Sequence, residues 1–204
     1  MLFRSPVLAF SVNQHLTMRG HFKTTYYSPT LRFIVLGAMM YTLSSVEGSF
    51  EALRSISTVT HFTHFTVAHA HIGLYAFFSI VMFGAIYFVM PRIMNWEWPY
   101  PRLISVHFWL VTLGIGIYAV SLSIGGWLQG LDMLDAAKPF MESVLVTIPY
   151  LQARTLGGTL MTLGHLVFAV HFSQMALRYG RHRIGHALLQ QRRNRPELQA
   201  PAGA

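Results

Sequence analysis

Cysteine is absent from this chain, and charged side chains account for only 11% of its 204 residues. Without cysteine, the chain cannot form disulfides, use a thiolate nucleophile, ligate zinc or iron–sulfur clusters through sulfur, or attach heme covalently through a CxxCH motif. Any metal must therefore be held by carboxylates or by the 11 histidines. A soluble domain of this size carries roughly a quarter charged residues. The low charge argues against a soluble enzyme and predicts a membrane protein.

Long apolar runs occur four times, and about 20 helical residues suffice to cross the hydrocarbon layer of a bilayer. The runs cover residues 30–46, 65–90, 103–128 and 156–177. The second run is expected to end at Pro91, and the third around the Gly125–Gly126 pair and Gly130. A shorter run over residues 1–12 has no cleavage site of small residues, which predicts a helix stump rather than a signal peptide. The predicted fold class is all-α: a polytopic membrane helical bundle of about four transmembrane helices.

The 15 lysines and arginines are unevenly shared between the two sides of such a bundle. The side that holds both termini and the loop between the second and third spans carries twelve of them. The opposite side carries only Arg54, Lys138 and Arg154. Because short basic loops stay in the cytoplasm, both termini are predicted to be cytoplasmic. The basic excess is thus a topology signal, and no nucleic-acid partner is expected.

The histidines concentrate in residues 58–72, which read TVTHFTHFTVAHAHI. His69 and His71 lie at the start of the second span, where ionisable residues are costly and usually functional. Residues at i and i+2 are roughly 200° apart around a helix, so the two imidazoles cannot ligate one metal. They can hold two metals, one on each side of the helix.

Large planar cofactors suit this geometry, because each imidazole can give one axial bond while apolar helix surface packs on the macrocycle. The small neighbours Ala68, Ala70 and Gly73 leave room for such planes. The alternative is that His69 and His71 are interface histidines that bond to the backbone or to water.

The same segment resembles a known membrane helix. THFTHFTVAHAHIGLYAFFSIVMFGAIYFVMPRI is similar to the tenth transmembrane helix in the catalytic subunit of heme-copper oxidases, most closely of the cbb3-type cytochrome c oxidases. The upstream stretch SPTLRFIVLGAMMYTLSSVEGSFEALRSIS resembles the ninth helix and the loop after it. Downstream, RLISVHFWLVTLGIGIYAVSLSIGGWLQG and LGGTLMTLGHLVFAVHF resemble the eleventh and twelfth helices. The resemblance implies a partial heme-copper oxidase subunit I fold.

The resemblance also implies roles for individual residues. His69 takes the position of the proximal ligand of the high-spin heme, and His71 that of an axial ligand of the low-spin heme b. His61 has the spacing of a histidine near the heme propionates, and Arg54 can pair with a propionate or be a plain loop charge. Glu47 matches an acidic position that reaches the proximal imidazole, with an interfacial carboxylate facing water as the alternative. The remaining histidines in or near the spans are interpreted as structural: His64, His107, His165 and His171.

Parts of the family pattern are missing from this sequence. The copper ligands, the other histidine of the low-spin heme and the active-site tyrosine lie on helices before the ninth, so copper is expected only through helices that this chain lacks. The chain alone is therefore not expected to reduce oxygen. It resembles the C-terminal third of the subunit, as a fragment, a split-gene product or a decayed copy. The implied partners are the remaining helices of subunit I or a companion chain, subunits with c-type cytochromes, and membrane lipid.

The function implied is that of a terminal respiratory oxidase in the bacterial inner membrane: oxidation of cytochrome c, reduction of oxygen to water and proton translocation. Three alternatives remain open at this point. A nitric oxide reductase carries non-heme iron in place of copper, a small b-type cytochrome needs His165 or His171 opposite one of the two ligands, and a structural membrane protein binds no heme. The expected division of the chain has three parts: a cytoplasmic segment with the helix stump (1–29), a heme-binding membrane region (30–177) and a partly disordered basic cytoplasmic tail (178–204).

Overall fold

The computed structural model describes residues 4–193, and these residues form helices joined by short turns, without any strand among them. In chain order the elements are α1 (Arg4–Met18), α2 (Thr24–Tyr27), α3 (Pro29–Glu51), α4 (Arg54–Thr60), α5 (His64–His71), a π-helix (Ile72–Ser79), α6 (Ile80–Met94), α7 (Pro101–Leu134), α8 (Phe140–Leu145) and α9 (Ile148–Arg193). The long helices are α3, α7 and α9, together with a rod composed of α5, the π-helix and α6.

Four helical stretches are long and apolar enough to cross a membrane, which confirms the predicted all-α bundle of four spans. They are Pro29–Glu51, His64–Met94, Pro101–Leu134 and Phe140–Gln191. The rod lies between α3 and α7, and α9 packs on α7. Large apolar side chains remain exposed along all four stretches, as expected of surfaces that meet lipid or further helices.

The second span does not end at Pro91, as the sequence had predicted, but continues to Met94. Proline has no N–H, so the carbonyl of Tyr87, four residues earlier, loses its helical donor. The indole Nε1 of Trp98 donates to this carbonyl at 2.9 Å. Asn95 has a left-handed φ of 48°, and the chain folds back after it. This turn brings the Trp98 indole to the Tyr87 carbonyl, so the indole replaces the missing backbone donor and the helix continues past Pro91.

The third span likewise does not end at its glycines. α7 runs through Gly125, Gly126 and Gly130 to Leu134. A Cβ added to Gly126 would overlap the backbone of Phe65, and one added to Gly130 would overlap the backbone of Val59. These glycines allow another backbone to approach the helix, which is a common use of glycine in membrane helices.

The two ends of the chain differ from their predicted boundaries. α1 is the expected helix stump, but it extends to Met18 and packs on α3, where the Thr42 hydroxyl donates to Ser11 Oγ at 3.0 Å. At the other end α9 continues without a break from the membrane region to Arg193. Position 178 is therefore no helix boundary. Residues 194–204 lie outside the described part of the chain, so the disorder expected there stays a prediction.

Candidate functional site

The helix that carries His69 and His71 is fixed at its first turn. Thr63 caps it, because its hydroxyl oxygen accepts a bond from the Phe65 N–H at 3.2 Å. The side-chain oxygen of Gln129 on α7 accepts the His64 N–H at 3.0 Å. Helix N-termini leave their first N–H groups without helical partners, and here two of them are satisfied. Together with the backbone contact at Gly126, these bonds set the depth and rotation of α5 against α7.

His69 faces α3. Its Nδ1 lies 3.3 Å from Oε2 of Glu47, and the two side chains are only 27% and 18% exposed. The ring rests on Gly48, where an added Cβ would come within 3.0 Å of the His69 Cε1. The sequence left two positions open for the Glu47 carboxylate, beside this imidazole or facing water. In the structure it lies beside the imidazole.

His71 faces α7 instead. Its Nδ1 donates to the carbonyl oxygen of Val67, one turn earlier, at 2.8 Å. Its Nε2 lies 3.2 Å from the hydroxyl of Tyr118, and the two rings pack at a tilt of 37° with centroids 4.7 Å apart. The two imidazoles therefore leave α5 towards different neighbouring helices, as their spacing predicts.

The hydrogen bonds at these imidazoles fit axial ligation of heme iron. A carbonyl oxygen can only accept, so Nδ1 of His71 carries its proton and Nε2 keeps a lone pair. Glu47 as a carboxylate sets the same tautomer for His69. Histidines that ligate metals usually donate their other ring N–H to a carboxylate or a backbone carbonyl, and both partners occur here. At His71 the Tyr118 hydroxyl must turn aside for an iron atom to reach Nε2.

Arg54 and His61 lie at the two ends of α4, the short helix that precedes α5. Both side chains are exposed and line one cleft of about 440 Å³ between the start and the end of α4. The His61 ring packs at a tilt against the ring of Phe62, whose φ of 61° turns the chain towards α5. Within the described residues neither side chain is hydrogen bonded to His69 or His71. The structure brings these two predicted residues together, in a cleft separate from the paired imidazoles.

Three of the four histidines interpreted as structural pack in the interior: His107, His165 and His171. His107 and His171 are fully buried. The hydroxyl of Tyr87 lies 3.0 Å from Nδ1 of His107, and the hydroxyl of Tyr75 lies 3.0 Å from Nε2 of His165. These rings pack with aromatic side chains where α6, α7 and α9 meet.

Two residues of the site have no signal in the sequence. Tyr118 and Gln129 are ordinary members of an apolar helix, and each meets α5 from a position about 50 or more residues away. A third, Arg154, stands out in the sequence only as one of three basic residues on the side opposite the two termini. Its guanidinium lies 5.6 Å from the centroid of the Tyr118 ring, which places a cation next to the His71 side of the site.

Within the described residues, no other histidine lies opposite His69 or His71. His165 bonds to Tyr75, and Nε2 of His171 accepts the backbone N–H of Tyr100 at 3.4 Å. The group that faces His71 is a tyrosine. The geometry that a self-contained b-type cytochrome requires is therefore not present in this part of the chain.

The family model described as cytochrome c and quinol oxidase polypeptide I matches residues 1–160. The chain belongs to this family. Its members are oxidoreductases of respiratory electron transport with heme as their cofactor, and the four apolar helices make the chain an integral membrane protein.

Curated relatives agree with this assignment. The chain is 30% identical over 176 residues to cbb3-type cytochrome c oxidase subunit CcoN1 of Stutzerimonas stutzeri, a match that covers 83% of this chain and 37% of the relative. It is 30% identical over 165 residues to cytochrome c oxidase subunit 1 of Rhodobacter capsulatus, covering 78% and 31%. A component of the nitric oxide reductase of Stutzerimonas stutzeri is a weaker relative, with 25% identity over 139 residues, covering 64% and 29%. The chain thus spans about a third of the length of these relatives.

A solved structure has the same fold. The helices superpose on a chain of a heme-copper terminal oxidase dimer with a TM-score of 0.61 and 17% sequence identity. The match covers 73% of this chain and 27% of that one. The predicted partial heme-copper oxidase fold is confirmed.

Proposed function

We propose that this chain supplies the ninth to twelfth helices of subunit I in a bacterial cbb3-type cytochrome c oxidase. In that assembly it takes part in oxidation of cytochrome c, reduction of oxygen to water and proton translocation. The identities of 29–30% with cytochrome c oxidase subunits, against 25% with a nitric oxide reductase, support the oxidase over the reductase. The part of the relatives that this chain does not cover supplies the remaining helices and, with them, the copper ligands.

His69 holds the iron of the high-spin heme and His71 that of the low-spin heme b. The observation that supports this assignment is the pair of anchored imidazoles, each with Nδ1 beside an acceptor. The Nε2 of His69 lies beside Gly48 on α3, whereas the Nε2 of His71 lies beside Tyr118 on α7. Bound heme supplies the electron transfer and oxygen chemistry. The protein's part would be to orient both rings, keep their protons on Nδ1 and hold the two cofactors on different sides of α5.

Glu47 keeps the Nδ1 proton of His69 in place. A carboxylate at the second ring nitrogen makes an imidazole a stronger electron donor to its metal, so Glu47 tunes the iron that His69 holds. Arg54 and His61 bind heme propionates from the cleft that they line, because a guanidinium presents a fork of donors that matches a carboxylate.

The assembly lies in the bacterial inner membrane with both termini of this chain in the cytoplasm. The positive-inside rule supports this orientation. The exposed apolar surface of the bundle supports partner helices: Leu74 and Phe78 on the rod are 69% and 56% exposed, although they adjoin the proposed ligands. The partners are the other helices of subunit I or a companion chain, subunits with c-type cytochromes, and lipid.

The decisive experiment isolates the chain gently from its native membranes and measures a reduced-minus-oxidised heme spectrum together with metal content. Two hemes and copper support the proposal, and iron in place of copper would assign the chain to a nitric oxide reductase. His69→Ala should remove the high-spin signal and His71→Ala the low-spin signal, while His64→Ala keeps both. A colourless chain without companions would overturn the assignment.

A further inference from the structure

Two exposed histidines on the basic extension of α9 lie outside the proposed heme site. His182 and His186 are four residues apart, and residues at i and i+4 share one face of a helix. Their Nε2 atoms are 3.0 Å apart, and their ring centroids 4.3 Å apart. Both rings thus turn the same nitrogen towards one point beside the helix.

The separation of these nitrogens matches two adjacent bonds to one metal ion. With metal–nitrogen bonds of about 2.0–2.1 Å, nitrogens 3.0 Å apart subtend roughly 95° at the metal. This value is near the right angle of square-planar and octahedral sites and below the angle of about 109° in a tetrahedral one. A linear arrangement would instead need nitrogens about 4 Å apart.

The ring of His182 is also held from outside its own helix. Trp96, in the loop after α6, packs against it with centroids 4.7 Å apart. This contact restricts the rotamers of His182 and lowers the entropy that would be lost when the ring binds an ion. Two histidines at i and i+4 on one helix are a recurrent pair of metal ligands.

We propose that His182 and His186 bind a divalent transition-metal ion, with Cu²⁺ or Ni²⁺ preferred over Zn²⁺. Among divalent first-row metals Cu²⁺ binds nitrogen sites most tightly, and tetragonal nitrogen sites suit Cu²⁺ and Ni²⁺. Within residues 4–193 no third His, Cys, Asp or Glu joins the pair, so water completes the coordination and the ion is exchangeable. The neighbouring guanidinium groups of Arg181 and Arg183 lower the affinity for a cation, although solvent screens them.

A hydrogen bond between the two imidazoles would also place the nitrogens 3.0 Å apart, and metal binding distinguishes the two explanations. The chain, purified in detergent with its native partners through a tag without histidine, is titrated with NiCl₂, CuCl₂ and ZnCl₂ by calorimetry. His182→Asn and His186→Asn should each weaken Ni²⁺ binding at least tenfold. The EPR spectrum of bound Cu²⁺ should show coupling to two nitrogens and lose it in either variant.

Two controls make the result specific. His21→Asn removes an exposed histidine on another segment and should change nothing. Combining His186→Ala with Ile184→His keeps the number of histidines but moves the second to i+2, on the opposite side of the helix, and should abolish the two-nitrogen signal.

Equal Ni²⁺ affinity in the wild type and the double variant His182→Asn/His186→Asn would overturn the proposal, as would tighter binding of Zn²⁺ than of Ni²⁺. Unchanged helical circular dichroism will show that the variants fold. These readouts do not involve heme, so they stand or fall independently of the proposed oxidase function.

Discussion

Gly126 on α7 is in backbone contact with Phe65, the second residue of the helix that carries His69 and His71. A Cβ on Gly126 would overlap the Phe65 nitrogen. Gly126→Ala should therefore push α5 away, break the bond between Gln129 and the His64 N–H, and destabilise the bundle by about 1–3 kcal/mol. Thermal unfolding in detergent and heme content measure the effect. Gly116→Ala on the same helix, where an added Cβ meets nothing within 4 Å, should behave like the wild type.

Replacing Glu47 should change the potential of the iron that we propose His69 holds. Glu47→Gln removes the negative charge at Nδ1 and makes the imidazole a weaker donor, which destabilises ferric iron more than ferrous iron. The reduction potential of the high-spin heme should rise by tens of millivolts in a redox titration, while that of the low-spin heme stays nearly constant. Glu142→Gln, in α8, removes the same charge and is the control variant. Equal shifts in both variants would argue against a direct role of Glu47.

Removing the hydroxyl of Tyr118 should strengthen heme binding at His71. The hydroxyl lies 3.2 Å from Nε2, the proposed ligand atom, so iron must displace it. Losing a hydrogen bond worth about 1 kcal/mol should tighten hemin binding roughly fivefold in Tyr118→Phe. A hemin titration in a His69→Ala background isolates this ligand. Weaker binding would instead indicate that the hydroxyl supports the bound heme.

The bond between Tyr87 and His107 should stabilise the interior. Tyr87→Phe leaves Nδ1 of His107 without a partner, and Nε2 of this buried ring already has none in the described structure. An unsatisfied buried group costs about 1–3 kcal/mol, so the midpoint of thermal or SDS unfolding should fall clearly. Tyr26→Phe, at a side chain that is 76% exposed, serves as the control. Restoration by the double variant Tyr87→Phe/His107→Phe would show that the unpaired imidazole causes the loss.

The number of spans and the division of His69 and His71 between two sides followed from apolar runs and helix geometry, because both depend on local periodicity. The helix ends did not follow. Pro91 and the glycines of α7 would end an isolated helix. In the structure the indole of Trp98, from the loop after α6, replaces the bond lost at Pro91. The backbones of α4 and α5, far from α7 in the sequence, pack on Gly130 and Gly126. Apolar periodicity does not show such tertiary contacts, so the predicted ends of the second and third spans were wrong.

The candidate site shows the same limit. Its histidines and Glu47 stand out because polar groups in apolar runs are costly. Tyr118 and Gln129, however, can be identified as site residues only once the packing of α7 against α5 is known. The π-helix after His71 was also beyond the periodicity argument, which assumes 3.6 residues per turn throughout. Segments of this kind are frequently found at functional sites.

The length of α9 bears on how an assembly could form. Its 46 residues extend about 69 Å, whereas the hydrocarbon layer is only about 30 Å thick. The bilayer with its headgroups measures about 40–45 Å, so several turns of α9 lie beyond it at an ordinary tilt. A water-soluble protein can therefore bind this part of α9 without entering the bilayer. Because α9 is one continuous helix, such binding would act directly on the face that packs on α7.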